Sequence, residues 1–277
     1  MNATLSLPRV QDQILPSSLY KLNPAVIEDL VRLGNKFDGG YLVSASALSG
    51  ADALVSFGLG GDWSFEEDAV RANPDLTIHV YDHTWGERKL LDHLVLLWHG
   101  VIHEQGSLSN IRSLVETYEA YRNFFRGNIV HFQERVFDRV QNPNDVTVER
   151  ILARLEHKTG LIVKMDIEGG EYRVVDALLD YHDRIRLIVG EFHATELNRK
   201  LFLEKIERIC QFYEVIHLHG TNLVGTAIDG LPDALEITFL QKGLCKFSKR
   251  RNCLPVAGLD FPNNPRKSDH HLVFAEE

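Results

Sequence analysis

The chain has 277 residues, 44% of them hydrophobic and 25% charged, a globular composition long enough for one large core. Its formal charge of −9 argues against a nucleic-acid polyanion as the main partner, and the basic run at 246–251 is too short to reverse that balance. Three cysteines, Cys210, Cys245 and Cys253, fall at no metal-type spacing and leave at least one thiol unpaired, as expected of a cytoplasmic protein. The opening segment has no basic start followed by a long apolar run, so no secretory signal is expected. No apolar stretch reaches the roughly 18 residues that suggest a membrane span, so a soluble chain is expected.

In chain order, Pro24 suits a first helical turn, and Val26, Ile27, Leu30 and Leu33 share a face, predicting a short helix over 24–33. Asp38-Gly39-Gly40 then marks a tight turn before an apolar strand. Segments 53–57, 77–81, 129–133, 161–165 and 187–192 read as buried strands, being short, branched and largely apolar. Amphipathic helices alternate with them. One covers 172–179 through Tyr172, Val175 and Leu179; another covers 197–212 through Leu197, Leu201, Ile206 and Ile209. This alternation predicts a mainly parallel sheet covered on both faces. Two last strands, 214–218 and 235–241, have no clear helix between them, which suits an antiparallel pair. The connection from Tyr81 to Ile129 is unusually long, with helices expected near 87–98 and 109–125. An insertion of that size is either a lid that selects substrate or a pair of packing helices.

After the first buried strand the chain reads Val55-Ser-Phe-Gly-Leu-Gly-Gly-Asp-Trp-Ser-Phe-Glu66. Gly58, Gly60 and Gly61 permit tight turns and close backbone approach to a ligand, and 64–69 can open a helix. Asp82 ends the next strand, where a carboxylate can accept from both ribose hydroxyls of a nucleoside or cap a helix. Together these features point to nucleoside binding. Trp63 stands where a dinucleotide fingerprint has its third glycine, and its bulk there would obstruct a pyrophosphate, disfavouring NAD and FAD.

The segment Leu161-Ile-Val-Lys-Met-Asp-Ile-Glu-Gly-Gly-Glu-Tyr172 is the most specific. A buried strand delivers Asp166 to the sheet edge where open α/β folds bind ligands, while the helix dipole suffices to explain Glu171. This segment resembles the Lys-x-Asp-x-Glu-Gly-x-Glu signature of FkbM-type methyltransferases. The glycine segment from Ser56 to Glu66 is similar to the cofactor motif of that wider group. Asp38-Gly-Gly-Tyr41, His217-Leu-His-Gly-Thr-Asn222 and Pro232-Asp-Ala-Leu-Glu-Ile-Thr238 extend the resemblance over 38–238.

The resemblance implies a Rossmann-like class I methyltransferase fold: a mainly parallel seven-stranded sheet with an antiparallel end strand and a helical insertion. It implies methyl transfer from S-adenosyl-L-methionine to a hydroxyl of a sugar, glycan or secondary metabolite, with a small-molecule or carbohydrate acceptor as partner. Gly58, Gly60 and Asp82 would bind the cofactor, with Ser56, Gly61 and Asp62 completing the candidate loop. Many members of that family carry an acidic residue where Ser56 stands; Asp62 or Glu66 could compensate, or serve the next helix N-terminus. The expected organisation is a helix-and-turn segment, 1–45, packed on a Rossmann-like domain, 46–277, with its insertion at about 84–127.

O-methylation needs a base near the hydroxyl, or a metal that lowers its pKa. Asp166, Glu191, His193, His217, His219 and Glu236 should reach one sheet edge, with His217 and His219 on the same side by strand alternation. The catalytic candidates are Asp166, which would orient the base, acceptor or metal, and His193 or His219 as the base. Asp166, His193, His219 and Glu236 are the candidate ligands of a divalent cation such as Mg²⁺. Histidines at strand ends are as often structural, and Asp269-His-His271, before a strand-like 272–275, reads as structural. Two other readings compete: a nucleotide-dependent oxidoreductase or sugar-modifying enzyme, and a non-catalytic Rossmann-like module that binds a partner through its insertion.

Overall fold

The computed structural model describes residues 12–102, 108–247 and 249–274. The readings that fall on residues 1–11 and on Ala275 lie outside them. The chain begins with strand β1 (Gln13–Leu15) and a 3-10 turn, Ser17–Leu22. The helix expected over 24–33 does not form. Ala25 N–H donates to Val215 O and Val26 N–H to Lys249 O, so these amides bond distant segments rather than a helical turn. Strand β2 (Leu30–Gly34) instead pairs antiparallel with β3 (Gly40–Ser44). Branched residues such as Val26, Ile27 and Val31 suit extended backbone, and Gly34 and Gly39, both at positive φ, make the connection.

Helix α1 (Ala45–Ser49) follows, capped by Ser44 Oγ, which accepts from Ala47 N–H. Then come β4 (Ala53–Phe57), α2 (Ser64–Ala72) and β5 (Thr77–Tyr81). The insertion forms α3 (Glu87–Ile102) and α4 (Leu108–Phe124), and β6 (Ile129–Phe132) resumes the sheet. Short strands β7 (Arg135–Val136) and β8 (Asp145–Val146) and helix α5 (Val148–Ala153) lead to β9 (Leu161–Met165), α6 (Glu171–Leu179) and β10 (Ile185–Phe192). Helix α7 (Arg199–Phe212), β11 (Tyr213–Gly220) and β12 (Leu235–Gln241) complete the main sheet. Strands β13 (Cys253–Leu254) and β14 (Leu272–Phe274) join β1 in a small second sheet.

The seven-stranded sheet has the order β11-β12-β10-β9-β4-β5-β6. The ladders from β6 to β10 are parallel, and β12 runs antiparallel to both β10 and β11. This is the mainly parallel Rossmann-like sheet that was expected, with the antiparallel strand last in sequence and one place in from the edge. The chain starts at β4, winds out through β5 and β6, then returns to β9 and winds the other way. The β4/β9 boundary is therefore the topological switch point, and ligands of such sheets bind beyond the strand ends there.

Alternation along β4 sends Val55 and Phe57 to one face and Leu54 to the other. On the first face α5, α6 and α7 cover the sheet through Ile151, Val175 and Ile206. On the second, α2 and the β2–β3 hairpin cover it through Phe65, Leu33 and Val43. The insertion is tied to this second core by Leu90 and Tyr121. Leu197 is a departure from the expected helix face: it precedes α7, which begins at Arg199, and is exposed, whereas Phe202, Ile206 and Ile209 form the buried stripe. Among the described residues no helix is long and apolar enough to cross a membrane.

Candidate functional site

At the switch point the ends of β4 and β9 almost touch. Asp166 N–H donates to Phe57 O at 2.8 Å, and a Cβ on Gly58 would fall 1.8 Å from Asp166 O, so only glycine passes. Gly60, at φ +58°, faces open space. Beyond these strand ends lies a cleft of about 560 Å³, lined by Gly58, Leu59, Gly60, Asp82, Val136 and Asp166 among others. A second chamber of about 360 Å³, bordered by Asp38, Lys164, Glu191 and His193, shares Leu59, Gly60, Asp166 and Glu168 with it.

The glycine loop is held rigidly, and not all of its expected binding residues face the cleft. Asp82 accepts from the N–H groups of Leu59 (2.8 Å) and Gly60 (3.0 Å) through Oδ2. Its Oδ1 accepts from the Thr84 N–H and hydroxyl and from Trp85 N–H. Burial alone would raise the pKa of this carboxyl, but the hydrogen bonds from Thr84, Gly60 and Leu59 outweigh it and hold the pKa below the ordinary value. Asp82 thus lines the cleft while bracing the loop, its two oxygens accepting from Leu59, Gly60, Thr84 and Trp85. Ser56 is fully buried and donates to Glu66 Oε1 at 2.5 Å, with Lys164 Nζ 3.5 Å from the same oxygen. It faces the sheet interior and not a ligand, and Glu66 supplies the carboxylate beside it.

Asp62 borders the second chamber but accepts from Asn35 Nδ2 and Ser64 N–H, joining the hairpin to the start of α2. Gly61 packs against the Trp85 ring, away from the cleft. Trp63 overturns an expectation as well. Its ring lies against Tyr121 and Phe125, with centroids 5.9 and 6.1 Å away, and its Nε1–H donates to Glu67. The indole anchors the insertion and does not line the cleft beyond the glycines.

Asp166 and His193 do converge. Tyr41, delivered by β3, donates its hydroxyl to Asp166 Oδ2 at 3.0 Å. His193 Nε2 lies 3.9 Å from Asp166 Oδ1, 3.8 Å from Glu191 Oε2 and 3.6 Å from Glu168 Oε2, while Nδ1 lies 3.4 Å from Glu171 Oε1. Burial opposes the charged ring, but the Glu171 and Glu191 carboxylates prevail and push its pKa up to about 9. Glu191 is pushed up to about 8 by burial and by the charges of Asp166 and Glu236. Glu168 and Ala194, beside the two key residues, both hold positive φ (54° and 50°), a conformation that costs a non-glycine residue about 1–3 kcal/mol and concentrates at functional sites.

His219 and Glu236 do not join this cluster. His219 is 2% exposed, with Nδ1 3.1 Å from Glu236 and Nε2 3.1 Å from Asp269. Both ring nitrogens are therefore taken, and the ring lines neither cavity. Glu236 pairs with His219 through Oε2 and accepts from Asn263 Nδ2 at 2.7 Å through Oε1, and it lines neither cavity. The expected base and cation ligand at these two positions are thus placed in a buried network apart from the chamber that Glu191 and His193 border. Among the described residues, the one group able to hold a cation is Asp166, Glu191 and His193. Sequence reasoning brought Glu191 to the right edge but left it out of the ligand set, and it passed over Tyr41, Lys164 and Asp38. The Asp-Gly-Gly-Tyr and Lys-x-Asp segments were the available signals for these three.

No protein-family model and no curated protein matches the chain. Solved structures do match. One is a fibrillarin/Nop5p complex, 10% identical over 71% of this chain and 79% of that one, with a TM-score of 0.35. Another is precorrin-6y C5,15-methyltransferase from Geobacter metallireducens, 14% identical over 71% and 84%, with a TM-score of 0.33. A third is the 16S rRNA (adenine(1408)-N(1))-methyltransferase from Catenulisporales acidiphilia, 12% identical over 71% and 91%, with a TM-score of 0.29. The exclusion of a nucleic-acid partner on net charge is withdrawn. A charge of −9 is a sum over the whole chain and does not describe any one surface.

Proposed function

We propose that the protein is an S-adenosylmethionine-dependent methyltransferase whose donor is held in the larger cleft and whose acceptor enters the smaller chamber. The shared wall carries this reading: Gly60 and Asp166 border both cavities, at the one place where the sheet topology favours a ligand. The bare Gly60 leaves space a side chain would fill, and Gly58 to Gly60 offer backbone to a nucleoside without demanding phosphate contacts. When bound, the donor supplies a methyl group on a positively charged sulfur. The protein supplies proximity and alignment, with Asp82 fixing the loop and Asp166 fixed by Tyr41. On the acceptor side Asp166, Glu191 and His193 face a hydroxyl that must lose its proton as it attacks. The resemblance around Asp166 supports a hydroxyl of a sugar, glycan or secondary metabolite as that acceptor.

Calorimetric titration with S-adenosylmethionine and its demethylated product tests the reading. Both should bind the folded wild-type chain, and Gly60→Val, which places a branched side chain in the cleft, should abolish binding. If neither ligand binds at millimolar concentration, the reading fails. Tight NAD binding in their place would favour the oxidoreductase reading.

A further inference from the structure

We infer that Asp166, Glu191 and His193 form a three-ligand site for a divalent cation at the mouth of the acceptor chamber. One atom from each lies within 4.8 Å of the others. With His193 Nε2 at 3.8 and 3.9 Å from the two carboxylate oxygens, a point between them lies about 2.5 Å or less from all three, close to cation–ligand bond lengths. One ligand is already oriented, since Tyr41 holds Oδ2 of Asp166 and leaves Oδ1 for the site; the buried Glu171 carboxylate lies 3.4 Å from Nδ1 of His193, on the side of the ring away from the site. Carboxylate-backed imidazoles of this kind recur as metal ligands.

Glu191 supplies the independent observation. It is 8% exposed, accepts no hydrogen bond among the described residues, and opens on the chamber. Strand register explains why. Glu191 stands opposite Glu236, and Glu236 stands opposite His219, which takes it as its own partner. The sheet thus leaves one buried carboxylate facing the chamber opposite another acid, with the His193 ring 3.8 Å away. Two carboxylates with one imidazole and room for further oxygen ligands suit Mn²⁺ or Mg²⁺. A cation here would bind the acceptor oxygen and lower its pKa. That role rests on the methyltransferase reading, but the site does not.

The test is Mn²⁺ binding to the full chain without methyl donor, followed by the loss of the free-Mn²⁺ electron paramagnetic resonance signal, with Mg²⁺ as competitor. One Mn²⁺ per chain should bind saturably and be displaced by Mg²⁺. Glu191→Gln and His193→Asn should each weaken binding at least tenfold, Tyr41→Phe about tenfold through the loosened Asp166, and the surface change Glu116→Gln not at all. Should a ligand variant fail to fold by circular dichroism, the wild-type stoichiometry and Tyr41→Phe still decide. Absence of saturable binding at 1 mM, or unchanged affinity in folded Glu191→Gln, overturns the site. Because no donor is present, failure here leaves the calorimetric test of donor binding standing, and the converse holds.

Discussion

Two histidines with the same expected role end up in opposite electrostatic settings. His193 has one carboxylate beside Nδ1 and several beside Nε2, so Nε2 faces the chamber. His219 is clamped between Glu236 and Asp269, and its pKa is held well above the ordinary value: burial opposes the charge, but the Asp269 and Glu236 hydrogen bonds prevail. Removing one partner from a buried ion network leaves the others uncompensated, at about 3–5 kcal/mol. His219→Gln should therefore lower the denaturant-derived unfolding free energy by about that much, while the surviving folded fraction binds donor and Mn²⁺ with affinities within twofold of wild type. A loss of ligand affinity in folded protein without a loss of stability would return His219 to the site. Strand alternation correctly put His217 and His219 on one side, but it specifies a face and not a partner. Their partners, Asp260 and Asp269, come from a segment more than forty residues later that has no periodic signal.

At the scale of elements, the buried strands were legible because parallel strands covered on both faces read as unbroken apolar runs. β4, β5, β9 and β12 have the expected bounds, and Asp166 and Glu191 follow from where β9 and β10 end. The N-terminal region was not legible. Val26, Ile27, Leu30 and Leu33 fit a helical face and an extended hairpin equally well, and only tertiary bonds to Val215 and Lys249 decide between them. The hairpin belongs to the core. Leu42 is fully buried, and its carbonyl accepts from the Thr238 hydroxyl on β12 at 2.6 Å. Leu42→Ala should destabilise the whole chain by about 2–5 kcal/mol, with a single unfolding transition by fluorescence and circular dichroism. Two separate transitions, the first confined to this region, would show that the hairpin is an appendage and that Tyr41 reaches Asp166 only incidentally.

Over the whole molecule, the C-terminal segment is strapped to the sheet by two buried ion pairs, His217–Asp260 and His219–Asp269, and these make stability depend on pH in opposite directions. For Asp260, burial would raise the carboxyl, but the His217 charge and hydrogen bond bring its pKa down to about 2 from 3.8. A lowered folded pKa means the contribution is present above pH 3.8 and is lost as the pH falls towards 2. His219 is raised, so its contribution is complete below its unfolded value of 6.5 and is lost as the pH climbs through the higher folded pKa. Thermal melting followed across pH should therefore show an acid limb below about pH 4 and an alkaline limb that begins near pH 6.5 and runs up to the folded His219 pKa. Asp260→Asn should flatten the acid limb and leave the alkaline one; His219→Gln should do the reverse, from a lower plateau. If both limbs persist unchanged in both variants, the strap does not set the pH range of the fold, and other titrating groups must.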